Sequence, residues 1–215
     1  MSTGKRLIVE GIDDQYTVIN LLARHGVDWN NKKTRVEIDN AKGWTEALTA
    51  LPTTIKSYER IGIILDADLS VENRWQSVCD RINAVMNDLG LSVSLPTEPD
   101  KAGTIIPLNN KCVGIWLMPN NQTIGKLEDF LSYLIPEQDY CWEYAQQATA
   151  EARKKGAMFS ELDKIKACVH TWLAWQKESG LPFGTAIKAR YFSHDTPEAL
   201  TFVNWFNRLF FKDYL

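Results

Sequence analysis

Hydrophobic and polar positions along the chain fall into two regimes. Over the first 120 residues or so, short apolar runs alternate with stretches of helical spacing. "RLIVEG" (6–11) predicts a strand. "DQYTVINLLARHG" (14–26) spaces Tyr16, Val18, Ile19, Leu21 and Leu22 as one face of a helix that stops at His25-Gly26. On that face Tyr16 is expected in the core. "TRVEID" (34–39) alternates like a second strand, and "GWTEALTALPTTIKSY" (43–58) is helical until Pro52, which is expected to break or kink it. "RIGIILDAD" (60–68) is a continuous apolar run, the mark of a strand buried on both faces. Ser70 is placed to cap the helix "VENRWQSVCDRINAVMNDLG" (71–90), and "AGTIIPL" and "KCVGIWLMPN" predict two further strands.

Past residue 125 the pattern is helical throughout. "GKLEDFLSYLI", "DYCWEYAQQATAEARKK" and "SELDKIKACVHTWLAWQKE" each carry an apolar stripe, the last with Ser160 and Asp163 set as a capping box. "TPEALTFVNWFNRLFF" has Thr196 as its cap and Pro197 at the first helical position. The expected architecture is therefore α/β: a mostly parallel, Rossmann-like sheet flanked by helices. Residues 1–125 form the α/β core, and 126–215 a helical C-terminal layer packed on it as one compact unit.

Composition narrows this little. Apolar residues are 45%, charged residues 24% and the net charge is -3, ordinary for a globular chain and without a global basic field. Cys79, Cys112, Cys141 and Cys168 are scattered, with no C-x-x-C pair, and are expected as buried free thiols. No apolar stretch approaches the roughly 18 residues of a membrane span, and the N-terminus runs into a strand without a leader pattern. The expectation is a cytoplasmic protein without a membrane partner.

The chemistry lies where the strands end. In an open α/β sheet ligands gather at the carboxyl ends of parallel strands. Glu10 closes the first apolar run, just before Gly11, and Asp66 and Asp68 close the third. If those strands are parallel neighbours, the three acids share one edge. If the strand continues far enough, Asp66 and Asp68 also share one face. Crowded carboxylates raise one another's pKa, and an oxygen-preferring divalent cation relieves the conflict. Asp13 and Asp14 begin a helix, where acids also cap free N–H groups. Three dispersed histidines, His25, His170 and His194, make no zinc site. The C-terminal aromatics Trp172, Trp175, Trp205, Phe206, Phe210 and Phe211 fit a helix core, a partner surface or a platform for bases.

"LIVEGIDD" and "IGIILDADLS", in that order, resemble the Toprim pattern of a strand ending in Glu-Gly and a later strand ending in Asp-x-Asp. That pattern is shared by topoisomerases, primases, a ribosomal-RNA maturase and the overcoming-lysogenization-defect nucleases. "WLMPNNQTIGKLEDFL" and "FVNWFNRLF" are similar to stretches of stand-alone Toprim-like bacterial proteins that work beside ATPases in phage defence. The resemblance implies a metal-dependent nuclease using Mg²⁺ or Mn²⁺, with nucleic acid and an ATPase subunit as partners; homo-oligomerisation stays open. It implies Glu10 as metal ligand and general acid/base, and Asp66 and Asp68 as metal ligands. Asp14, Glu72 and Glu128 are further ligand candidates, Lys188 is the candidate late lysine, and Lys126 and Arg190 would hold the nucleic-acid backbone. No tyrosine is placed as a topoisomerase needs.

Two other readings remain. One is a non-catalytic, regulatory Toprim-like subunit of an ATPase. The other is a receiver-like domain accepting a phosphoryl group on Asp66, with Asp13 and Asp14 as its acidic pair. A haloacid-dehalogenase phosphatase would carry Asp-x-Asp on its first strand, where this chain has Glu-Gly.

Overall fold

The structure, a computed structural model, describes residues 4–31 and 35–211. Thr34, where the second strand was expected to begin, lies outside the described residues, as do Met1–Thr3 at the N-terminus. The first half alternates β1 (Lys5–Val9), α1 (Ile12–Arg24), β2 (Glu37–Asn40), α2 (Trp44–Ser57), β3 (Arg60–Asp66) and α3 (Val71–Asp88). A hairpin follows, β4 (Thr104–Leu108) and β5 (Lys111–Met118), and then α4 (Leu127–Tyr133), α5 (Tyr140–Lys154), α6 (Lys164–Ala174), α7 (Phe183–Lys188) and α8 (Pro197–Phe211). The strands form one sheet in the order β2-β1-β3-β5-β4, in which only β4 runs antiparallel to its neighbour. The fold is a mixed, Rossmann-like α/β fold with helices on both faces and a helical C-terminal layer.

The pleat of β3 explains the two faces. Ile61, Ile63 and Leu65 point one way and pack with Leu48, Leu51 and Ile55 of α2 and with Trp75, Val78 and Ile82 of α3. Ile64 points the other way, with Leu7, Val9 and Trp116, into the layer built by α1, α4, α6, α7 and α8. That layer holds the aromatic core: Trp172, Trp205, Phe206 and Phe210 are all buried, so they form no open platform. Trp175 and Phe211 are partly exposed.

Two glycines that the pattern did not single out seat the C-terminal layer. Gly62 and Gly114 are register partners on β3 and β5. A Cβ on Gly114 would sit 2.3 Å from Leu209 Cδ2, and one on Gly62 would sit 2.6 Å from Leu7 Cδ1 and 3.1 Å from Phe210 Cζ. The missing side chains make the shallow seat that α8 fills.

Several local expectations are corrected. Helix α2 continues through Pro52 instead of ending there. Losing the Pro52 N–H costs one helical bond, but Leu51 and Ile55 on either side of it are buried against the sheet. Tyr16 is 53% exposed rather than core, because α1 turns that side outward; its Cβ and backbone lie close to Gly184 of α7. Cys141 is exposed on α5, whereas the other three thiols are buried. Helix α7 was not foreseen; its short apolar set, Phe183, Ala186 and Ile187, packs with α1. Three caps agree with the sequence: Ser70 accepts the Asn73 N–H, Ser160 the Asp163 N–H and Thr196 the Ala199 N–H.

Candidate functional site

Strands β1 and β3 are parallel neighbours. Their carboxyl ends therefore bring Glu10, one residue past β1, beside Asp66, the last residue of β3. The Asp66 N–H donates to Glu10 Oε1 at 2.8 Å, which ties the two strand ends together through the acid itself. Two more acids reach the same place from helix starts. Asp14, in the first turn of α1, accepts the Gly11 N–H at 3.0 Å. Glu128, in the first turn of α4, pairs with Lys166 of α6 at 2.8 Å. Both are buried, at 7% exposure each. Helix α4 is itself anchored to the sheet edge, since the Leu127 N–H donates to Asp66 Oδ1 at 3.0 Å.

These side chains line an open cavity of about 530 Å³. Its walls hold five acids, Glu10, Asp13, Asp14, Asp66 and Glu128, against three lysines, Lys42, Lys126 and Lys166. The excess of acid has a direct consequence. Burial, and then the charge of Glu10, push the Asp14 carboxyl up to about 7. Burial, followed by the charges of Asp14, Glu10 and Glu128, push Asp66 up to about 9. Glu10 is also raised by burial, although the Asp66 N–H and the Arg74 charge act against the rise. Burial first, and the neighbouring acids second, thus favour the protonated form of Asp66 and part-protonation of Asp14 at neutral pH.

Asp68 lies outside the lining of this cavity, although its charge still acts on Glu10 and Asp66. The strand ends at Asp66, and Asp68 takes a left-handed backbone (φ 51°) to form an isolated bridge with Gly125. The strand alternation that would have set it beside Asp66 is lost there. Its carboxylate meets Arg74 at 2.6 Å and Lys126 at 3.8 Å. Arg74 also donates to the Asp66 carbonyl at 2.8 Å, so it fixes the backbone under the site. Glu72 lies outside the cavity, fully exposed, accepting from Ser70 Oγ at 2.9 Å. Lys188 is exposed at the end of α7 and Arg190 follows it in a left-handed turn, and neither lines the cavity. Of the expected cations only Lys126 does so.

Lys166, Lys42 and Arg74 were missed. Arg74 left a signal, since it falls on the buried stripe of α3 with Val71, Trp75 and Val78, where a charge is unexpected unless paired. The two lysines look like ordinary surface residues, and only the folding of α6 and of the β2–α2 turn brings them to the acids. The Gly43 N–H donates to the Glu10 carbonyl at 2.9 Å, which fixes that turn.

The family model described as "Protein of unknown function (DUF3226)" matches residues 4–211. The chain belongs to this family. No curated protein matches the DUF3226 chain, and no solved structure does.

The donor set of this DUF3226 chain can be tested against a divalent cation. All its strand-edge acids are oxygen donors, and the five acids of the cavity outnumber its three lysines, which suits a hard cation. Among the described residues, however, no three His, Cys, Asp or Glu side chains form a group that could hold a metal ion as they stand. One oxygen each of Glu10 and Asp66 is turned to a backbone N–H. The chemistry of the donor set, all carboxylate oxygen, is the kind a hard cation takes.

Proposed function

We propose that this chain is a cytoplasmic metal-dependent nuclease of Toprim type, hydrolysing phosphodiester bonds of DNA or RNA as an effector of bacterial phage defence. The carrying observation is the convergence of Glu10, Asp14, Asp66 and Glu128 on the carboxyl edge of two parallel neighbouring strands, where burial and then mutual repulsion push Asp14 up to about 7 and Asp66 up to about 9. Asp66, Asp14 and Glu128 would hold Mg²⁺ or Mn²⁺. The ion, when bound, supplies charge neutralisation at the phosphoryl group and a more acidic water.

The chain's own residues do the rest. Glu10, raised by burial and the only strand-end acid tied to the Asp66 N–H, is placed to take up and pass on a proton. Lys42, Lys126 and Lys166 draw the phosphate backbone into the acidic cavity despite the negative total charge. Arg74 keeps the β3 end in position by holding the Asp66 carbonyl.

A second reading has its own observation. Glu10, Asp14 and Asp66 each accept a backbone N–H, so the acids also brace the strand ends and the α1 and α4 starts. A regulatory subunit that binds an ATPase and cuts nothing would need no more than that bracing. Receiver-like phosphoryl transfer to Asp66 has no comparable support. The deciding experiment is a cleavage assay of wild type and Glu10→Gln against plasmid, single-stranded DNA and total tRNA, with Mg²⁺ or Mn²⁺. Cutting that needs the metal and is lost in the variant is expected. No cutting by the wild type of any of these substrates with either ion would leave the regulatory reading standing.

A further inference from the structure

A second cavity, of about 360 Å³, opens beside the acidic one. The two are joined through the chain: Gly43 lines the first and Trp44 the second, Asp66 the first and Ala67 the second. Lys126 stands between them, lining the first and pairing with Asp68 of the second.

The second cavity is built unlike the first. Trp44, at the start of α2, is 43% exposed, and its ring carries the Arg74 guanidinium 4.2 Å from the centroid. Arg74 is in turn held by Asp68 Oδ2 and the Asp66 carbonyl. The indole is therefore pinned from one side by a group that is itself pinned, and it stays part-open to solvent. Asn73 lines the same cavity, and its side-chain amide has no hydrogen-bond partner among the described residues. Leu69 and Leu162 stand exposed at the margin. A flat aromatic ring, a free amide with donor and acceptor, and apolar edges are the elements that recognise a planar heterocycle by stacking and edge hydrogen bonds.

We propose that this cavity is a nucleobase subsite, with Trp44 as the stacking platform and Asn73 as the reader of the base edge, and that the substrate is single-stranded nucleic acid. The inference rests on the nuclease reading for what happens next door, and it names the substrate class. A base can enter this cavity while its phosphate lies by Lys126 and the acids only if it is free of a helical stack. Duplex would have to pay for unstacking first. Neither Trp44 nor Asn73 is assigned any part in the chemistry; both are positioning residues.

The test separates the subsite from the chemistry. Fluorescence anisotropy is measured with labelled single-stranded DNA, single-stranded RNA and duplex of one sequence, using Glu10→Gln as the non-cutting background. Adding Trp44→Ala should weaken single-strand binding by roughly tenfold, the scale of one lost base stack, and leave duplex binding unchanged. Trp44→Phe should restore most of the affinity, which a folding defect would not allow. Asn73→Ala, at an exposed position, should narrow the spread of affinities among homopolymers with little change in the mean. In the cleaving wild-type background, Trp44→Ala should raise KM by a similar factor and leave kcat within about twofold. Equal DNA and RNA affinities would mean that the base alone is read; a preference for one would add sugar contacts, and both outcomes keep the subsite. Single-strand binding that Trp44→Ala leaves unchanged, or no binding by the parent, overturns the proposal even if the protein cuts. Trp44-dependent binding by a protein that never cuts would keep the subsite and remove the nuclease.

Discussion

Replacing Asp14 with Asn should make the metal-free protein markedly more stable at pH 8 and change it least in acid. Asp14 is 7% exposed, and its carboxyl is lifted from an ordinary 3.8 to about 7, first by burial and then by the charge of Glu10. The folded state therefore binds the proton more tightly than the unfolded chain does. Below pH 4 both states hold it, and the group costs nothing. Between pH 4 and 7 the unfolded chain releases the proton first, so stability falls as pH rises, and above 7 the loss is complete. At about 1.4 kcal/mol for each tenfold change, the full loss is about 4 kcal/mol, of which about 3 kcal/mol arises between pH 5 and pH 8. Asn keeps an oxygen for the Gly11 N–H and cannot ionise. Urea unfolding in EDTA, with the slope checked for constancy, should show Asp14→Asn gaining about 3 kcal/mol over wild type as pH goes from 5 to 8. A gain that does not depend on pH, or an equal loss at both values, would refute the reasoning and make Asp14 a plain helix cap.

Other outcomes follow from the packing. Arg74→Met removes the nearer of the two cations on Asp68 and the anchor of the Asp66 carbonyl; a loss of about 2–3 kcal/mol in urea unfolding is expected, below the cost of breaking a fully buried pair because Asp68 is part-exposed and keeps Lys126. Gly114→Ala drives a Cβ into Leu209 and should cost about 1–3 kcal/mol. The double variant with Leu209→Ala should be less unstable than the two single losses added together, because the clash is relieved. Of the four thiols, Cys141 alone should react with a thiol reagent in the native protein, while Cys79, Cys112 and Cys168 wait for denaturant.

The strands and their order of acids were readable because each is a short apolar run closed by a polar residue. Glu10 and Asp66 needed only one structural condition, that β1 and β3 be parallel neighbours, and the sheet meets it. Asp68 would share the face of Asp66 only if the strand continued that far; β3 ends at Asp66, and Asp68 takes a left-handed backbone that no hydropathy pattern marks. Tyr16 misled for a related reason: spacing finds a helix face but not how wide its buried stripe is. Lys166 and Trp44 were beyond reach, since one depends on α6 folding back over α4 and the other on an arginine on α3 stacking on it. The buried aromatics of α6 and α8 were legible as helix core; the paired glycines that make room for α8 acquire meaning only once β3 and β5 are in register.

The central claim is that the strand-edge acids are a site for a divalent ion, and Mn²⁺ binding tests it most directly. Mn²⁺ would be titrated at pH 7.5 into wild type and into Glu10→Gln/Asp66→Asn, with free ion followed by electron paramagnetic resonance and proton release by calorimetry in two buffers. The expected result is binding by the wild type that releases protons, because Asp14 and Asp66 are lifted to about 7 and about 9, and no binding at that site in the double variant. Equal binding by both proteins, or none by the wild type, would contradict the account.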